Sequence, residues 1–99
     1  MSDSTRLSPE QVQTFLADLE GWSVSNDQLH KRFEFADFGE ALGFMVRVGL
    51  VCEKLNHHPN WYNVYNRVDV QLWTHSAGGL TGLDVRLAKA MNEIARQPA

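Results

Sequence analysis

The chain has 99 residues, 43% of them hydrophobic and 21% charged, with 9 basic and 12 acidic side chains and a formal net charge of −3. That length suits one domain, 1–99, and that composition an ordinary soluble globule rather than a disordered chain. The weak negative charge argues against direct nucleic-acid binding, and the apolar run 41–52 is broken by Arg47 and too short to span a membrane. The single cysteine, Cys52, has no partner for an internal disulfide, so the expected setting is cytoplasmic.

Three helices announce themselves by their caps. Ser8-Pro9-Glu10-Gln11 reads as an N-cap, a proline at the first helical position and a glutamine at N3. Val12, Phe15, Leu16 and Leu19 follow at helical spacing, and Gly21 is expected to end this helix. A short strand, 22–24, turns at Asn26-Asp27 into a second, 29–35. There Leu29, Lys31, Phe33 and Phe35 share one side of the pleat, with His30, Arg32 and Glu34 on the other. Asp37-Phe38-Gly39-Glu40 opens the second helix, whose stripe is Ala41, Phe44, Met45, Val48, Val51, Cys52 and Leu55. It must stop before Pro59. Strands 62–65 and 68–73 flank a turn at Asn66-Arg67, with Val68, Val70 and Leu72 on one face and Asp69, Gln71 and Trp73 on the other. Thr81-Gly82-Leu83-Asp84 caps the third helix, with a stripe of Leu83, Leu87, Ala90, Met91 and Ile94 and a frayed end at Gln97-Pro98-Ala99. The order α-β-β-α-β-β-α implies an α+β fold of two layers: a four-stranded antiparallel sheet with three helices on one face.

Chemistry concentrates at element ends. His57 and His58 follow the second helix in Asn56-His57-His58-Pro59, and His75 follows the last strand in Trp73-Thr74-His75-Ser76. In a two-layer fold these loops can meet at one rim. Imidazole exchanges protons near neutrality, so two or three in one pocket can pair a general acid with a general base. Pro59 favours an extended His58, which points His57 and His58 in opposite directions. Two other readings stand beside this one. A histidine pair in a loop is commonly solvated surface, and three histidines with Glu53 can bind zinc or iron, although adjacent histidines chelate poorly. His30 reads as exposed and Cys52 as core. The glycine-rich 78–82 precedes a helix but lacks both the Lys-Ser/Thr of a phosphate loop and the spacing of the dinucleotide fingerprint, so it reads as a flexible connection. Trp61, Tyr62, Tyr65 and Trp73 can stack on a flat ligand or pack the sheet.

The run Glu53-Lys54-Leu55-Asn56-His57-His58-Pro59-Asn60-Trp61-Tyr62-Asn63-Val64-Tyr65-Asn66-Arg67-Val68 resembles the pterin-4a-carbinolamine dehydratase family. The likeness continues through Leu72-Trp73-Thr74-His75 and Gly79-Leu80-Thr81-Gly82-Leu83-Asp84. Upstream, Gly21-Trp22, Phe33-Glu34-Phe35-Ala36-Asp37-Phe38 and Ala41-Leu42-Gly43-Phe44-Met45 also fit, so it covers roughly residues 7–94. Trp73 departs from the pattern, standing where a smaller residue is expected beside Thr-His. The resemblance implies an antiparallel sheet with helices on one face and dehydration of 4a-hydroxytetrahydropterin to quinonoid dihydropterin. It implies no cofactor and no metal. By that resemblance His57 and His75 are the acid/base pair, and His58 mainly binds substrate. Asn56, Trp73, Thr74 and Ser76 flank the pterin, and Glu53, Trp22 and Asp84 stand behind them. The family also implies a homodimer or homotetramer and a place beside aromatic amino acid hydroxylases. The alternatives are a dimerisation or coactivator module, which would have no need of the three histidines, and a domain acting on another pterin, for example in molybdopterin metabolism, which Trp73 keeps open.

Overall fold

A computed structural model, which describes residues 4–97, has the expected element order. The elements are α1 (Pro9–Leu16), β1 (Ser23–Ser25), β2 (Gln28–Glu34), α2 (Phe38–Leu55), β3 (Asn60–Val64), β4 (Arg67–Leu72) and α3 (Gly82–Arg96), with a short 3-10 turn, His75–Ala77, before α3. The four strands form one antiparallel sheet in the order β1-β2-β4-β3. Leu29 pairs with Leu72 and Phe33 with Val68 across β2 and β4, which puts the buried side chains of both central strands on one face. Against that face α2 packs Ala41, Phe44, Val48 and Cys52, and α3 packs Leu87, Ala88 and Met91. Phe44 lies 4.8 Å from Phe33, ring centre to ring centre. The opposite face carries Arg32, whose Nε donates to Asp69 across the ladder at 2.7 Å.

All three caps form. The Ser8 and Thr81 boxes are complete, and Asp37 accepts from the Glu40 N–H. Glu40 reaches one residue further back than expected, to the Ala36 N–H at 3.1 Å. Four expectations need correction. The first helix ends at Leu16, not near Gly21: Asp18 and Leu19 donate to Phe15 and Leu16 in tight i→i+3 turns, so Leu19 enters the core from outside any helix. Gly21, at φ 82°, instead turns the chain into β1. The second hairpin turns at Tyr65-Asn66, one residue early, with Tyr65 left-handed at φ 49°. Asn66 fixes that turn through its Nδ2 bond to the Phe35 carbonyl, 2.7 Å away. β4 stops at Leu72, so Trp73 lies beyond the sheet rather than on its open face. The buried side of α3 includes Asp84, Val85, Ala88 and Asn92, while Leu83, Ala90 and Ile94 are only half-buried. Pro98 and Ala99, where fraying was expected, lie outside the described residues.

Candidate active site

The site begins with the way α2 stops. Asn56 adopts the left-handed conformation (φ 51°, ψ 47°), and its N–H returns to Glu53 while the His57 N–H returns to the Cys52 carbonyl at 3.1 Å. That pair of bonds is a Schellman-type cap with asparagine in the place usually taken by glycine. It reverses the chain sharply and throws His57 back towards the N-terminus of α3. His57 is buried, 8% exposed, whereas His58 is exposed beside Glu53, with Nε2 3.5 Å from its carboxylate. The two rings therefore diverge.

His57 Nε2 lies 2.6 Å from Asp84 Oδ1. Asp84 is fully buried at the start of α3, and its other oxygen accepts from the Thr74 hydroxyl at 2.8 Å and the Thr81 N–H at 3.0 Å. Thr81 Oγ1 lies 2.7 Å from Thr74 Oγ1 and accepts from the Leu83 N–H. One carboxylate thus closes a helix cap, ties down the end of β4 and holds an imidazole. A carboxylate only accepts, so Nε2 of neutral His57 carries the proton and Nδ1 is left with a lone pair.

The third imidazole comes from the loop after β4. Thr74 pairs with Gly79 in an isolated bridge, and the 3-10 turn between them closes at Gly78, whose φ of 71° suits a residue without a Cβ. His75 starts that turn, exposed, with its ring 4.5 Å from the Trp73 ring at an angle of 33°. Asn56, His57, His58, Trp73, Thr74, His75 and Ser76 all line one open cleft of about 380 Å³, together with Pro59 and Asn60. That volume falls among those of small-molecule sites, ~300–1,000 Å³. Two imidazoles in one cleft, one anchored by a buried carboxylate and one at the rim, can donate and accept protons on a bound ring.

Trp22 is not among these residues. Its indole packs edge-on against Phe33, 5.9 Å away, and donates to Asn92 at 3.0 Å, inside the core. It is a structural residue, because burying an indole requires a partner for its N–H. Sequence reasoning passed over Pro59 and Asn60 as cleft residues and read Thr81 only as a cap. Its hydroxyl's bond to Thr74, seven residues away, had no local signal. Cys52 lies behind the site in the core, where burial pushes its thiol up from the ordinary cysteine value. Among the described residues no group of three or more His, Cys, Asp or Glu stands close enough to hold a metal ion.

A larger, shallower basin of about 590 Å³ lies on the open face of the sheet. Its charged groups and its histidine are already engaged. Arg32 bonds Asp69, His30 bonds the Ser25 carbonyl, and Lys31 donates to Asn92 and the Glu20 carbonyl. Desolvation pulls the Lys31 ammonium below the usual lysine value, in keeping with a buttress under the sheet end. The smaller cleft is therefore the better candidate.

Residues 5–94 match the family model described as pterin 4 alpha carbinolamine dehydratase. A Nitrobacter winogradskyi protein provisionally named a pterin-4-alpha-carbinolamine dehydratase is 54% identical over 94 residues, covering 93% of this chain and 93% of its own. A Rhizobium johnstonii protein of the same name is 53% identical over 92 residues, with 91% of each chain covered. A crystal structure from Brucella melitensis, titled a transcriptional coactivator/pterin dehydratase, superposes with a TM-score of 0.90 at 45% identity, covering 92% of this chain and 99% of that one. No helix among the described residues is long and apolar enough to cross a membrane.

Proposed function

Because this chain belongs to the pterin 4 alpha carbinolamine dehydratase family, we propose that it removes water from 4a-hydroxytetrahydropterin to give quinonoid dihydropterin. The reaction breaks the C4a–oxygen bond, protonates the departing hydroxyl and takes the proton from N5, whose lone pair forms the new double bond to C4a. No covalent intermediate with the protein is needed. The protein has only to hold a flat ring and move two protons.

The observation that carries this reading is His57, clamped through Nε2 to a buried carboxylate inside a cleft that also contains His75. Its lone pair on Nδ1 suits it to proton exchange with the substrate, and His75 is the second proton group. His58, exposed at the mouth, binds substrate, with Asn56, Trp73, Thr74 and Ser76 along the walls. The side chain of Thr74 is occupied by Asp84 and its N–H by the Gly79 carbonyl, so Thr74 shapes the cleft wall rather than bonding the ring. Glu53 sits outside, beside His58, and Asp84 acts through His57. The substrate is what aromatic amino acid hydroxylases release, which puts the reaction next to theirs and in the cytoplasm.

Stopped-flow dehydration of freshly generated 4a-hydroxytetrahydropterin tests the assignment. Acceleration by the wild-type chain is expected, cut at least tenfold in His57→Ala or His75→Ala, since proton transfer of this kind contributes ~10²–10⁴-fold. A folded wild type that gives no acceleration would remove the dehydratase reading.

A further feature favours self-association. Phe38, Leu42, Val46 and Leu50 stand four residues apart along α2 and are 45–66% exposed, an apolar stripe facing away from the core. A second copy of this chain covering that stripe would account for it and leave the cleft open. The same stripe supports a second reading, a helix-face binding module, which would survive loss of His57 and His75.

A further inference from the structure

We propose that Trp73 is a positioning residue for His75, its indole face setting the plane of an imidazole that no polar group holds among the described residues. The kinetic half of this inference rests on the dehydratase reading; the ring contact does not. The three cleft histidines are restrained in different ways. His57 bonds Asp84, and His58 stands 3.5 Å from Glu53. The ring of His75 makes its contact with Trp73 instead, 4.5 Å between centres and 33° between planes, a tilted stack.

The backbone dictates that contact. Thr74 is extended, at φ −104° and ψ 107°, so its side chain and those of its two neighbours project to opposite sides. Thr74 goes inward to Asp84 and Thr81, and Trp73 and His75 therefore share the cleft side. The indole is mounted firmly. Leu72 before it is fully buried, the Thr74 N–H after it bonds the Gly79 carbonyl at 2.9 Å, and the indole itself is half-buried against the core. His75 is exposed at the start of a three-residue turn, with rotamers to spare. A group that moves a proton must lie within hydrogen-bond reach of it and correctly oriented, so freezing that ring acts on the chemical step more than on affinity.

The test combines kinetics and NMR on Trp73→Leu and Trp73→Phe, each in the wild-type and the His75→Ala background. Trp73→Leu is expected to lower kcat about three- to tenfold, the scale of an aromatic pair, beyond any change in KM from its place in the cleft wall, and Trp73→Phe to recover most of the kcat loss. In the His75→Ala background Trp73→Leu should lower kcat no further, whatever it does to KM. A kcat loss of equal size in both backgrounds, or a change confined to KM, overturns the proposal, because Trp73 then acts only through its contact with the substrate. Without substrate, the His75 ring protons should lie upfield in the wild type and Trp73→Phe, and return to ordinary positions in Trp73→Leu. Unshifted protons in the wild type overturn the stack itself. Shifted protons in a chain without dehydratase activity refute the proposed reaction and the kinetic role together, while the stack stands.

Discussion

Asp84 has two carboxylate oxygens and three donors to share between them: His57 Nε2, the Thr74 hydroxyl and the Thr81 N–H. An asparagine there offers a single acceptor oxygen. The Thr81 N–H cannot turn away, so it claims that oxygen, and the new amide NH2 faces His57. Nε2 must then accept, which drives the ring proton to Nδ1. Asp84→Asn is therefore expected to fold with a loss of about 1–3 kcal/mol in urea and to lose at least tenfold in dehydration rate. The imidazole 15N shifts of His57 would report the exchanged tautomer, and an unchanged tautomer would contradict the account. The capping role of Asp84 was legible because a box is written in four consecutive residues. Its hold on His57, 27 residues away, is not local and was suggested only by family resemblance. Trp22 shows the opposite case. Resemblance suggested a place behind the site, but its indole N–H is satisfied by Asn92, 70 residues along the chain, which no short window displays.

Helix starts were readable and helix ends less so, for a physical reason. An N-cap is a side chain bonding the next turn, whereas an end depends on where the following chain must go. Leu19 fits the α1 stripe by spacing, yet the chain leaves the helix after Leu16 and still buries Leu19 to 2% exposure. On α3 the apolar pattern missed Asp84 and Asn92, polar residues buried because distant partners satisfy them. The second hairpin was misplaced by one residue because tyrosine seldom supplies a left-handed turn residue. Tyr65 does so here at φ 49° while 62% exposed, so its conformation has little burial to offset its strain. Asparagine tolerates that region better. Tyr65→Asn is expected to raise stability by about 0.5–1 kcal/mol in urea denaturation, with the Asn66 bond to Phe35 kept. A loss of stability would mean that the tyrosine ring contributes packing beyond its exposed surface.

For the molecule as a whole, two surfaces are separated by the α2 helix itself. Its C-terminal cap faces the cleft, and its outer stripe faces solvent. Val46, 58% exposed, lies mid-stripe, where an aspartate should be nearly neutral in a monomer, within about 0.5 kcal/mol. Sedimentation of the wild type at micromolar concentration is expected to exceed the monomer mass, and Val46→Asp to lower it without changing the fold. A monomeric wild type would end the self-association proposal. The economy of the Asp84 junction has a last consequence, for reading other chains of this fold. Asp84 closes a helix as well as serving an imidazole, so a descendant that abandoned chemistry would still have reason to retain it. The His75 ring closes nothing and bonds nothing among the described residues. Of the two, the exposed rim histidine is the one whose loss would betray a retired enzyme.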